Sequence, residues 1–122
     1  MITYVTMRDA EQTIERLGFH VRDAGLLASA LARPATVFGG EEVYADLPAK
    51  AAVILESLAR NQALFDGNKR LSWILTQLFL RLNGMRHTFT VDEAFDLVLD
   101  VAQGKIPIDE VARSIGEHLA PC

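Results

Sequence analysis

The sequence predicts an all-α fold, a bundle of about six helices carrying one small β flap. Three observations predict it. Helix-start signals recur at Thr6, Asp23, Asp46 and Thr90. Two stretches, Ala51–Ala59 and Leu71–Leu82, are apolar nearly all round, the pattern of helices inside a domain. Only residues 34–46 clearly break the helical period. The 122 residues show no repeat, low-complexity tract or linker, so they read as a single domain over 1–122.

The first helix starts at a capping box, Thr6 to Asp9, carries Ile14 and Leu17 on its apolar face, and stops at Gly18. Asp23 caps a second helix through Leu26, Leu27, Ala30 and Leu31, which ends near Arg33 because Pro34 disfavours helix at the residue before it. Thr36-Val37-Phe38 and Val43-Tyr44 flank Gly39-Gly40, the pattern of a small hairpin. Asp46 with Leu47-Pro48 opens the first buried helix, since proline in a first turn loses no hydrogen bond. Asn83-Gly84 closes the second buried helix, and Met85–Phe89 reads as a short extended link. Thr90 to Glu93 is a second capping box, opening a helix with Ala94, Phe95, Val98, Leu99 and Val101 that stops at Gly104. A last helix runs from about Pro107 to Leu119, with Val111, Ile115 and Leu119 on one face.

Composition narrows the function classes. A formal net charge of -4 repels the phosphate backbone that a non-specific nucleic-acid binder must attract, so any phosphate recognition is local. The single cysteine, Cys122, allows no internal disulfide, which points to a reducing compartment and a cytoplasmic location. The amino terminus lacks the basic start and apolar run of a secretory signal, and Leu71–Leu82 is too short to cross a bilayer.

The chemistry concentrates in NQALFDGNKR, Asn61 to Arg70, between the two buried helices. A helix start leaves backbone N–H groups free and carries partial positive charge; Gly67 permits close approach, and Lys69 and Arg70 add full charges. Arginine grips phosphate with two parallel donors, lysine acts as a point charge, and a carboxylate such as Asp66 beside phosphates is the usual way to hold Mg²⁺. The same residues also suit a plain helix–helix turn followed by a solvated first turn, and spacing alone does not separate the two readings.

Gln62 to Arg70, QALFDGNKR, resembles the signature of the Fic/Doc family: His, often Pro, Phe, any residue, Asp or Glu, Gly or Ala, Asn, Gly or Lys, Arg. Leu64 fits as the large apolar residue, followed by Asp66, Gly67, Asn68, Lys69 and Arg70. The likeness extends to GLLASALARPATVFGGEEVYADLPAKAAVILESLARN before the motif and FLRLNG after it, from about Gly25 to Gly84, and these segments resemble the Doc (death-on-curing) branch.

The resemblance implies a Fic-type helical fold and the toxin half of a toxin–antitoxin pair, with a Phd-type antitoxin whose tail folds into a helix on the toxin. It further implies transfer of the ATP γ-phosphate to a threonine of elongation factor Tu, and so translation arrest. Lys69 stands where adenylylating Fic enzymes mostly carry glycine and favours phosphate over AMP transfer. On this reading Asp66 holds Mg²⁺, Gly67 and Asn68 belong to the phosphate cradle, Lys69 and Arg70 bind the nucleotide, and the flap positions the target peptide by adding a strand.

Gln62 departs from the pattern. The family places histidine there as the general base, whose pKa of about 6.5 suits the work. A glutamine amide cannot take the proton, so the resemblance implies a weak or inactive enzyme that still binds nucleotide. Two origins fit: a disarmed variant, or a natural pseudo-enzyme that binds nucleotide or antitoxin only. Elsewhere, His20, His87 and His118 lack metal-ligand spacing and read as surface or partly buried polar residues. Trp73 and Phe79 read as core, Glu41-Glu42 as a solvated flap tip, and Arg60 and Asn61 as either shaping the site or capping a helix.

Overall fold

The computed structural model describes all 122 residues. Six helices form the body: α1 (Met7–Leu17), α2 (Ala24–Ala32), α3 (Leu47–Arg60), α4 (Asn68–Leu82), α5 (Val91–Ala102) and α6 (Ile108–Glu117). Four short strands accompany them: β1 (Val37–Phe38), β2 (Glu41–Glu42), β3 (Met85–His87) and β4 (Leu119–Pro121). The expected bundle with its flap is therefore present, together with a second small sheet.

Local chemistry sets the helix boundaries. Thr6 accepts from the Asp9 N–H while the Asp9 carboxylate accepts from the Thr6 N–H; Thr90 and Glu93 repeat the arrangement at α5. Asp23 and Asp46 accept from Leu26 and Ala49, each satisfying an N–H that the helix start leaves free. Pro34 ends α2 as expected, but the chain continues for one tighter turn, Arg33–Ala35, before entering the flap.

α3 is the centre of the bundle. Ala51 through Leu55 are all at most 1% exposed, so successive residues bury in every direction, and α4, α5 and α6 pack round them. The contiguous core draws on all six helices. α4 departs from the all-round apolar expectation: Leu71, Leu75 and Phe79 bury with Ser72 and Thr76, while Trp73 and Leu78 are half-exposed and Leu82 is exposed. The two buried hydroxyls return their protons to carbonyls of their own helix, Ser72 to Lys69 and Thr76 to Ser72, so neither is orphaned.

The flap is a two-stranded antiparallel ribbon, Val37 opposite Glu42 and Phe38 opposite Glu41, turning on Gly39 and Gly40, whose φ of 60° and 82° suit glycine. Its second strand is Glu41–Glu42 rather than Val43-Tyr44, because a two-residue turn fixes the register. Two cations on the helices grip its base. Lys50, only 1% exposed, donates from Nζ to Pro34 O (3.2 Å), Tyr44 O (2.6 Å) and Glu42 Oε1 (3.0 Å). Arg33 donates to Tyr44 Oη at 3.2 Å, Glu56 Oε1 at 2.8 Å and Ser57 Oγ at 2.9 Å. Glu42 is thus a structural partner, not merely part of a solvated tip.

The last helix ends at Glu117, not Leu119. Leu119–Pro121 leaves helical geometry and pairs antiparallel with Met85–His87, so the expected extended link is a strand with a partner. Phe95, placed on the buried face of α5 by periodicity, is 66% exposed, and Leu97 is buried instead.

Candidate functional site

α3 closes at Asn61, whose N–H donates to Ser57 O at 2.9 Å and whose side-chain amide donates to Leu26 O at 2.9 Å. Asn61 therefore serves the helix end and the α2 contact. Arg60 is exposed and packs its guanidinium against Gly104, so neither residue lines the site. Residues 62–67 then turn the chain into α4.

Gln62 is the chain's only non-glycine residue with positive φ, 58°. Asn and His adopt this left-handed region far more readily than most residues, so the backbone at this position suits a histidine. The Gln62 carbonyl accepts from Arg22 Nε at 2.7 Å, and its Oε1 accepts from Asn68 Nδ2 at 3.2 Å. Asn68 is buried and faces inward: Oδ1 accepts from the Leu64 N–H (2.9 Å) and Nδ2 also donates to Leu64 O (3.0 Å). Its side chain is committed to the loop, which leaves its backbone N–H as the group it can offer an anion.

Gly67 is required twice over. Its φ is 88°, and a Cβ there would stand 2.6 Å from the Phe19 ring. Beyond it α4 starts with no side-chain cap, and the N–H groups of Asn68, Lys69 and Arg70 find no acceptor in the chain. Lys69 and Arg70 are exposed at this same helix start. Asp66, also exposed, accepts from the Gly67 N–H through one oxygen at 2.8 Å, leaving the other free.

All six residues singled out in the sequence, Gln62, Asp66, Gly67, Asn68, Lys69 and Arg70, line one open cleft of about 580 Å³. It is also lined by Leu99 and Ala102 of α5, by Gln103 at the end of that helix, and by Phe19. Sequence reading missed these residues: Leu99 fitted the apolar face of α5, and Phe19 lies more than forty residues away with no motif of its own. No cluster of three or more His, Cys, Asp or Glu side chains could hold a metal alone. A single carboxylate beside a phosphate cradle still fits Mg²⁺, which arrives with phosphate oxygens and needs only one or two protein ligands.

Lys69 and Arg70 also border an adjoining recess of about 530 Å³ against Trp73, His87, Phe89 and Phe95. Trp73 is therefore not simply core, unlike Phe79, which is fully buried. His87 meets Trp73 edge-on at 5.2 Å, and His118 stacks on Phe89 at 4.1 Å. Burial, and then the nearby charges of Arg81 and Arg86, push the His87 pKa down. No helix is long and apolar enough to cross a membrane.

A model of the Fic/DOC family matches residues 3–80, which include the loop, the start of α4 and the strand of chain carrying Phe19 and Arg22. The chain belongs to the Fic/DOC family. It is also 45% identical over 102 residues to the protein named Toxin Doc of Mycolicibacterium smegmatis (strain ATCC 700084 / mc(2)155), covering 82% of this chain and 78% of that relative. The Fic/DOC match stops just short of the end of α4, so the α5 residues of the cleft lie beyond it.

Proposed function

We propose that this Fic/DOC protein is the toxin of a toxin–antitoxin system, acting in the cytoplasm, whose cleft binds ATP for transfer of the γ-phosphate to a threonine of elongation factor Tu. The observation that carries the reading is the start of α4: three free backbone N–H groups, a glycine at close approach, two cationic side chains and one half-free carboxylate. Such a site recognises phosphate through donors that need no reorganisation.

In this mechanism the N–H groups of Asn68, Lys69 and Arg70 donate to the phosphate oxygens, with the Lys69 and Arg70 side chains neutralising their charge. The free oxygen of Asp66 would hold Mg²⁺, which shields the phosphates when bound. The target hydroxyl attacks the γ-phosphorus, the bond to the β-phosphate oxygen breaks, ADP leaves, and the hydroxyl proton passes to a base at position 62. The flap, clamped by Lys50 and Arg33, offers its edge to the target backbone. The aromatic recess gives the adenine a face to lie on.

Gln62 can accept a hydrogen bond but cannot carry that proton, so this sequence is expected to lose about 10² to 10⁴ in rate while keeping nucleotide affinity. The same residue favours a second reading, a non-catalytic protein that binds nucleotide and a Phd-type antitoxin. The deciding experiment compares this chain with Gln62→His, using γ-labelled and α-labelled ATP and purified elongation factor Tu. Label from the γ position with the histidine form alone supports the kinase. Label from the α position means adenylyl transfer, and no label from either leaves the binding reading.

A further inference from the structure

We propose that Phe19–Asp23 is a positioning strap for the catalytic loop, and that Arg22 is the residue that holds position 62 in its working conformation. The inference rests on the phosphotransfer reading for its consequence, although its structural half stands apart from it.

The strap and the loop form a short ladder. Phe65 N–H donates to His20 O at 3.2 Å, Val21 bridges Leu64 in antiparallel sense, and the N–H groups of Arg22 and Asp23 both donate to Ala63 O, at 2.8 and 3.0 Å. The Phe19 ring lies against Gly67 at one end, and at the other Arg22 Nε reaches the Gln62 carbonyl at 2.7 Å. Both ends of the strap are tied down. Gly18 releases it from α1 with φ 72°, and Asp23 commits it to α2 by capping Leu26.

Within this ladder Arg22 has a distinct job. Its guanidinium engages no carboxylate and no other acceptor in the chain; its single bond is to the carbonyl of the one side-chain-bearing residue in a left-handed conformation. That conformation is disfavoured unless neighbours impose it. Rotating residue 62 toward ordinary helical or extended geometry would swing the carbonyl away from Arg22 and move its side chain off Asn68 Nδ2. The charged donor therefore favours the backbone state that aims side chain 62 along the cleft. Arg22 itself is exposed and adds nothing to the core, so its effect is local.

The test uses Arg22→Met and Arg22→Lys, each in the chain as it stands and with Gln62→His. The first readout is the ¹³Cα and ¹³Cβ chemical shifts of residue 62, with the side-chain amide signals of Gln62 and Asn68. The proposal expects Arg22→Met to move residue 62 out of its left-handed signature and to shift both amides, with a melting temperature within about 2 °C of the parent. The second readout is phosphate transfer in the histidine background. Arg22→Met should lower kcat about 10- to 100-fold and leave the KM for ATP within about threefold, because the phosphate donors lie beyond the loop. Arg22→Lys, which keeps a charged donor, should recover most of the kcat.

Unchanged shifts at residue 62 in Arg22→Met overturn the proposal, as does an unchanged kcat. If Gln62→His with Arg22 intact transfers no phosphate, the phosphotransfer reading fails, and the chemical shifts alone decide whether Arg22 sets the conformation at 62.

Discussion

Replacing Lys50 by methionine tests how the flap is held. The ammonium donates to two backbone carbonyls, Pro34 O and Tyr44 O, and to the Glu42 carboxylate. Methionine keeps the volume and removes the donors. Glu42, with its side chain 51% exposed, can turn to water, but the carbonyls lose their partner where water reaches poorly. An orphaned buried acceptor costs about 1–3 kcal/mol, and relief from burying an ammonium offsets part of the total, so the net loss should be about 2–4 kcal/mol. An unfolding entropy of about 2.1 cal/mol/K for each of the 122 residues gives about 4 °C per kcal/mol, hence a fall in Tm of about 8–16 °C. Glu42→Gln, which leaves both carbonyl bonds in place, should cost less than about 1 kcal/mol. Thermal melts with urea titrations measure both. A Lys50→Met midpoint within about 2 °C of the parent would refute the reasoning, because the carbonyls would then be solvated without Lys50.

The same residue fixes a pH dependence. Burial opposes charge on Lys50, but the hydrogen bonds and charges of Glu42 and Tyr4 outweigh it, and the pKa is raised. Its contribution is therefore complete below the ordinary lysine value of about 10.5 and disappears as pH rises through the folded value. The stability gap between parent and Lys50→Met should stay constant through neutral pH and close only in strong alkali. His87 behaves oppositely: its lowered pKa means the unfolded chain takes up the proton first, so stability should fall as pH drops below about 6.5, and His87→Phe should weaken that fall. Gly67→Ala meets both a φ of 88° and a contact of 2.6 Å with Phe19, so a loss of at least about 2 kcal/mol is expected, with weakened ATP binding by calorimetry. Trp73 is the only tryptophan, so its emission reports on the recess directly. ATP should change that emission and tripolyphosphate should not, while Phe95→Ala should weaken ATP binding roughly fivefold and shift stability by less than about 0.5 kcal/mol.

Features written in neighbouring residues were legible in the sequence. Both capping boxes, the caps at Asp23 and Asp46, and the stop at Gly18 need only three or four residues to declare themselves, and each stands where it was expected. The loop 62–70 was legible for the same reason, since glycine, amide and basic residues sit together at a helix start. What distance in sequence separates was not. Leu119 keeps helical spacing from Ile115, and only its partner His87 makes it a strand. Glu41 and Glu42 carry no strand propensity and pair because the glycine turn sets their register. The strap offered no signal at all: Phe19 and Arg22 acquire meaning from residues 62 to 67, and a lysine inside an apolar helix gave no hint that it clamps a hairpin.

Each strand of the two-stranded flap ribbon leaves its outer edge unpaired, and the first strand carries Phe38 at 81% and Val37 at 59% exposure. Bare edges with apolar neighbours invite identical chains to pair with one another. Here each strand is only two residues long and the second is Glu41–Glu42, so two copies pairing through the second strand would bring four carboxylates together. The acidic pair thus makes the second strand a poor template for a second copy, and the brevity of both strands limits what either edge can pair.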